Sequence, residues 1–232
     1  MPNFMLETNP DGSIKQIYKD GQLYNQAIRL ERPFDLVNIY FKTARGNLGA
    51  MAGTTEPELL RSYGLQSFLM SLTGVEAFTN VFFHVYANEH QRSDVKARSE
   101  KKDSLLKRLE DLIQLAFGGQ MEDHNLVLGK IKELYQLRND TVHPRFDPSS
   151  VAMLGPIPLV IQDMTVSFQA VFDDSNFCME AHLWCMLLIV KIAKAAGAQD
   201  FSAFCFHWTG AAPGMTEDYL LEKLGLKSDD AS

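Results

Sequence analysis

The chain has 232 residues, 46 % of them apolar, and a formal net charge of −7. That is enough apolar side chain for one sizeable core or two small ones, which excludes wholesale disorder, and the acidic balance speaks against a dedicated, high-affinity nucleic-acid coat. No run of 18 uncharged apolar residues and no basic-then-apolar leader is present, and Cys178, Cys185 and Cys205 lack C-x-x-C spacing, so the expectation is a cytoplasmic protein with reduced thiols and no membrane association.

The first dozen residues read as loosely ordered. Ile14–Tyr18 and Leu23–Ala27 then flank Asp20-Gly21, a pair suited to a tight hairpin turn, so residues 1–32 are expected to form an N-terminal arm with a β-hairpin. From Pro33 a first helix runs to about Arg45 and ends at Gly46 and Gly49. A second begins where Thr55 caps, Pro57 lies in the first turn and Glu58 completes a capping box. Its stripe of Leu65, Phe68, Leu72, Val75, Thr79, Phe82 and Tyr86 recurs at three-and-four spacing to about Ala87, with Glu76 beside the stripe and Asn80 one turn further on.

Residues 89–108 carry seven basic side chains against four acidic ones, which reads either as a solvated connection or as a patch that draws a polyanion toward the next helices. Asp103–Phe117 is a further helix stopped by Gly118-Gly119, and Asn125–Val142 another. After Pro148 a turn-rich link, Gly155-Pro156-Ile157-Pro158, precedes an extended cover or strand within Leu159–Phe172. Ser175–Ala196, stopped by Gly197, then Phe201–Trp208 and Thr216–Leu224, complete the helices. The expected fold class is all-α, a bundle with long antiparallel helices and a small β-hairpin or extended appendage, with residues 33–232 as one domain.

The densest chemistry is Arg138-Asn139-Asp140-Thr141-Val142-His143, followed by Pro144 and Arg145. At about 100° per residue, Leu128, Ile131, Leu134, Tyr135 and Val142 share an apolar arc, and Arg138 falls inside it. Burying a guanidinium alone is costly, so the position calls for a carboxylate or an anionic ligand; Glu76 is the expected partner. Pro144 pushes His143 out of helical geometry. A plainer reading makes Arg138 a structural ion-pair member and Asn139 and Asp140 helix-end residues.

R-N-x-x-x-H at a helix end resembles the motif of the HEPN superfamily, small all-α domains of toxins, defence systems and RNA-processing enzymes. Val75-Glu76-Ala77-Phe78-Thr79-Asn80 resembles its acid-bearing helix, and the likeness covers about residues 55–150. It implies a HEPN-like helical bundle with that motif core and added C-terminal helices at about 175–225. It also implies a metal-independent endoribonuclease without cofactor, in which a 2′-hydroxyl attacks the adjacent phosphorus to leave a 2′,3′-cyclic phosphate and a 5′-hydroxyl. His143 would move the proton, Arg138 would neutralise the phosphorane-like transition state, and Asn139 would orient the phosphate or the histidine; Glu76, Asn80 and Asp140 would support them, and Arg145 would add a phosphate contact. Family motif helices commonly meet across two subunits, which implies a homodimer around RNA. Where some HEPN toxins continue as H-x-Y, with a tyrosine modified by their antitoxin, this chain has Pro144 and Arg145; an antitoxin-like or defence partner is therefore left open. The competing reading keeps the scaffold as a catalytically inert, homodimeric binding module.

Other chemistries lack their signatures. There is no G-x-x-x-x-G-K-[ST], no G-x-G-x-x-G after a strand and no G-x-S-x-G. His84, His90, His124, His143, His182 and His207 include neither H-E-x-x-H nor an i,i+4 pair, so no metal site is expected. His84 and His182 read as ordinary helix-face residues, and Asp173-Asp174 as the start of a helix.

Overall fold

The computed structural model describes residues 4–10, 14–26, 34–143, 151–153, 159–161, 170–198, 200–211 and 215–226. The chain divides into two compact units, Met1–Arg32 and Pro33–Ser232. In the first, β1 (Phe4–Thr8), β2 (Ile14–Lys19) and β3 (Gln22–Leu23) form an antiparallel sheet in the order β1-β2-β3. Asp20 and Gly21 both have positive φ, 52° and 80°, as a two-residue type I′ hairpin turn needs. β1 corrects the expectation of a loosely ordered start. It pairs with β2 through Leu6 opposite Ile17 and Glu7 opposite Gln16, and Glu7 accepts hydrogen bonds from Lys15 and from the Tyr18 hydroxyl.

The second unit is mostly helical. Helix α1 (Phe34–Ala52) runs through Gly46 and Gly49 instead of ending there. A glycine costs a helix about 1 kcal/mol relative to alanine, but Leu48 between them and Met51 beyond are buried, and that burial outweighs the propensity. Helix α2 (Pro57–Glu89) starts later than the capping-box reading: Pro57 is its first residue, Glu56 precedes it without a side-chain cap, and the Thr54 hydroxyl accepts the Glu56 N–H. Two glycines inside α2 are packing requirements. A Cβ on Gly64 would lie 2.0 Å from the Phe172 carbonyl oxygen, and one on Gly74 would lie 2.7 Å from the Phe41 ring.

Helix α3 (Ser93–Ser99) replaces the expected polar connection. Val95 is fully buried there, and Arg98, nearly so, donates to Asp111 at 2.8 Å and lies 3.0 Å from Asp103. This ties α3 to α4 (Leu105–Phe117), which ends at Gly118 with φ 61°. Helix α5 (His124–Val142) follows. Strands β4 (Val151–Met153) and β5 (Leu159–Ile161) pair antiparallel; β5 falls in the stretch expected to be extended, whereas β4, ahead of the turn-rich link, has no counterpart in the sequence reading. A 3-10 turn (Ala170–Asp173) leads into α6 (Ser175–Ala195), whose Asp174 side chain caps the Asn176 N–H, while Arg61 clamps Asp173 with two hydrogen bonds. Helices α7 (Phe201–Thr209) and α8 (Glu217–Lys223) complete the set.

Helix α6 is central. Every residue from Ala181 to Ala193 is buried, and the helix touches α1, α2, α5, α7 and α8. Gly64 meets Cys178 and Ser71 meets His182, so α2 and α6 run in the same direction. Asp123, just before α5, meets Lys191 near the end of α6, so α5 runs the opposite way to both. By length and composition α2 and α6 are apolar enough to cross a membrane, but half of that window of α2 and 78 % of that of α6 are buried within the protein. The three cysteines are free, buried thiols; burial pushes Cys178 up to about 12 and Cys205 up to about 11.

His182, read as a helix-face residue, lies on α6 and is 2 % exposed between α1, α2 and α6. Its Nδ1 lies 2.9 Å from the Ser71 hydroxyl, which itself donates to the Ser67 carbonyl. The Ser71 proton is thereby used, so Nδ1–H donates to Ser71 and Nε2 is the unprotonated nitrogen. Burial, with the nearby Arg45 charge, pulls the His182 pKa down to about 3. An unfolded histidine binds its proton near pH 6.5, so between the two values the unfolded chain holds one more proton than the folded one. Stability should be complete above about pH 6.5 and fall on acidification by up to about 1.4 kcal/mol per pH unit. Urea unfolding between about pH 7 and about pH 5 checks this, and His182→Gln should flatten the slope.

Candidate functional site

Helix α5 is two-sided. Val127, Leu128, Ile131, Leu134 and Tyr135 are buried, whereas Lys132, Gln136, Asn139, Asp140 and His143 are exposed. These exposed positions recur every three to four residues and so share one face. Val142 departs from the predicted apolar arc, at 42 % exposed. The helix ends as the proline rule implies: His143 has φ −126° and ψ 66°, outside the helical region, and its N–H donates to the Asn139 carbonyl at 2.8 Å.

The exposed face of α5 and Leu106 of α4 enclose an open groove of about 510 Å³, lined by Leu106, Lys132, Gln136, Asn139, Asp140 and His143. Asn139, Asp140 and His143 are thus brought together as the sequence suggested. Arg138 is absent from that lining.

The expected Glu76–Arg138 ion pair does not form, and Tyr135 is the reason. Its hydroxyl donates to Glu76 Oε2 at 2.8 Å, and the Arg138 guanidinium lies over its ring at 5.6 Å. The aromatic side chain, one turn before Arg138 and deeper in the protein, reaches the carboxylate first. Arg138 is only half-buried, so its charge keeps part of its hydration and is satisfied by a ring face and by the Asn139 side-chain oxygen, to which Nη1 donates at 3.1 Å. Burial, followed by the hydrogen bond and charge of Glu76, raises the Tyr135 pKa and holds the phenol protonated as a donor.

Glu76 and Asn80 lie on another hollow, of about 370 Å³, with Leu36, Tyr40, Thr73 and Ala77 among its lining residues. Glu76 and Asn80 therefore lie outside the lining of the His143 groove. Arg145, the expected additional phosphate contact, lies outside the described residues. Lys132 and Gln136 were missed in the sequence, where their signal was the spacing 132, 136, 139 and 143 on the polar face of the motif helix.

The arginines of the basic stretch are engaged internally. Arg92 pairs with Asp94 and donates to the Leu115 carbonyl, Arg98 is held by Asp103 and Asp111, and Arg108 is buried against the Lys101 carbonyl. Lys101, Lys102 and Lys107 are exposed. Among the described residues no group of three His, Cys, Asp or Glu side chains is placed to hold a metal ion.

No protein-family model, no curated protein and no solved structure matches the chain. What fold and site define together is a mostly helical protein with a small antiparallel sheet and a polar groove along one helix.

The Tyr135 contact has a measurable weight. Hydrogen bonds to charged groups contribute about 1.5–3 kcal/mol, and Glu76 is half-buried, so Tyr135→Phe should destabilise by about 1.5 kcal/mol in urea unfolding. Arg138→Ala should cost less than about 1 kcal/mol in the same measurement, the scale of a partly exposed cation over a ring.

Proposed function

We propose that this chain is a HEPN-type, metal-independent endoribonuclease whose site is the α5 groove. The observation that carries the reading is the placement of His143, Asn139 and Lys132 on one open groove, which supplies a titratable imidazole, an amide and a cation to a single ligand. The reaction is attack by a ribose 2′-hydroxyl on the adjacent phosphorus, with departure of the 5′-oxygen. His143 takes or gives the proton, Asn139 orients the phosphate, and a cation neutralises the charge that grows on the phosphoryl oxygens. Two copies of the chain join through the motif helix, so that a groove from each faces the RNA.

A second reading, a catalytically inert homodimeric binding module, is favoured by one feature. Three of the seven basic side chains of the 89–108 stretch are arginines already engaged within the protein, which leaves little field to gather a polyanion.

His143→Ala should abolish cleavage of mixed single-stranded and structured RNA, a loss of about 10²–10⁴-fold for an acid or base. Its melting temperature should be unchanged, because the side chain is exposed. Cleavage should persist in EDTA and leave 2′,3′-cyclic ends. RNA equally intact with wild type and His143→Ala rejects the nuclease reading, and a 26.1 kDa particle in light scattering rejects the dimer.

A further inference from the structure

We infer that the α5 groove binds an extended phosphodiester strand with Lys132 as its cationic contact, and that Arg138 acts from outside the groove by positioning Asn139. The inference rests on reading the groove as a phosphate site and names which side chain does what there.

Lys132 is exposed on the groove, and its acidic neighbour Glu133 is occupied by Lys130 at 2.9 Å. Its ammonium makes no ion pair among the described residues and is left for a ligand. Eleven residues separate it from His143, roughly 16 Å of helix, so a ligand that meets both is a strand and not a single phosphate group. Gln136 and Asn139 lie between them on the same face and offer neutral hydrogen bonds along that path. Asp140 faces the groove as well, which tempers its positive potential and makes the binding modest and salt-sensitive.

Arg138 is committed elsewhere. Its guanidinium covers the Tyr135 ring, Tyr135 is fixed to Glu76, and Nη1 holds the Asn139 side-chain oxygen. With that oxygen taken, the Asn139 amide presents its NH2 donors to a phosphate. Arg138 is therefore a positioning residue, and Lys132 supplies the contact charge.

The test uses a fluorescein-labelled single-stranded DNA oligonucleotide, which lacks the 2′-hydroxyl and is bound without being cut. Its affinity for the whole chain is measured by anisotropy over a range of KCl. For single strands the slope of log affinity against log salt changes by about 0.7 for each phosphate contact. Lys132→Gln should weaken binding by about 5-fold, the scale of one charge contact in water, and make the slope shallower by about 0.7, Lys132→Arg should restore both, and Arg138→Gln should leave the slope as in wild type. No salt-dependent binding by wild type, an unchanged slope in Lys132→Gln, or an equal loss of slope in Arg138→Gln overturns the assignment. Binding that follows the expected pattern while RNA stays uncut removes the nuclease reading alone; cleavage of RNA with a slope indifferent to Lys132 removes this assignment alone.

Discussion

Lys191 is 1 % exposed near the end of α6, and its ammonium lies 2.6 Å from Asp123, 2.5 Å from Glu217 and 3.5 Å from Glu122. Burial alone would drive such a group to lose its proton, but the hydrogen bonds it donates to Asp123 and Glu217 outweigh the lost hydration, and its pKa rises. Those carboxylates come from the start of α5 and the start of α8, so one cation fixes three helices. Asp123 is held in the left-handed region, at φ 54°, which aspartate enters more readily than most residues, and there its carboxylate meets Lys191. From that anchor α5 runs 19 residues, about 28 Å, before it delivers His143 to the groove. The site is thus placed by a charge cluster at the opposite end of its helix.

The same economy of charge governs the surface. A chain of net charge −7 that engages Arg98 and Arg108 inside its own fold has little long-range field with which to gather any polyanion. What its cations can meet then depends on local geometry, on which cation faces which groove, and sequence counts say nothing of that. Lys132 differs from the arginines of α3 and α4 because it lies on the outer face of its helix, with the adjacent Glu133 already engaged by Lys130.

Helix periodicity was legible because it follows from burial: α2, α4, α5, α6, α7 and α8 lie within a few residues of where apolar spacing and stop signals put them. The misses share a cause, which is tertiary contact overriding a local rule. Gly46 and Gly49 look like terminators until Leu48 and Met51 are known to be buried. The 93–99 stretch looks like a solvated connection because nothing local announces that Arg98 will find Asp103 and Asp111. His182 reads as a helix-face histidine, and its depth was not legible because it depends on how α1, α2 and α6 meet. At the candidate site the motif placed Asn139, Asp140 and His143 on one groove, but helical angles overlooked a competitor for Glu76.

That competitor changes what the motif means here. Arg138 and Asn139 are adjacent in sequence yet face different partners, one turned toward α2 and the other toward α4. The Nη1–Oδ1 bond between them joins the Tyr135–Glu76 contact to the Asn139 side chain on the groove. An arginine held in this way is stiffer than one free to swing into the groove, which suits a donor that must keep its neighbour in one orientation while leaving the contact charge to a flexible lysine.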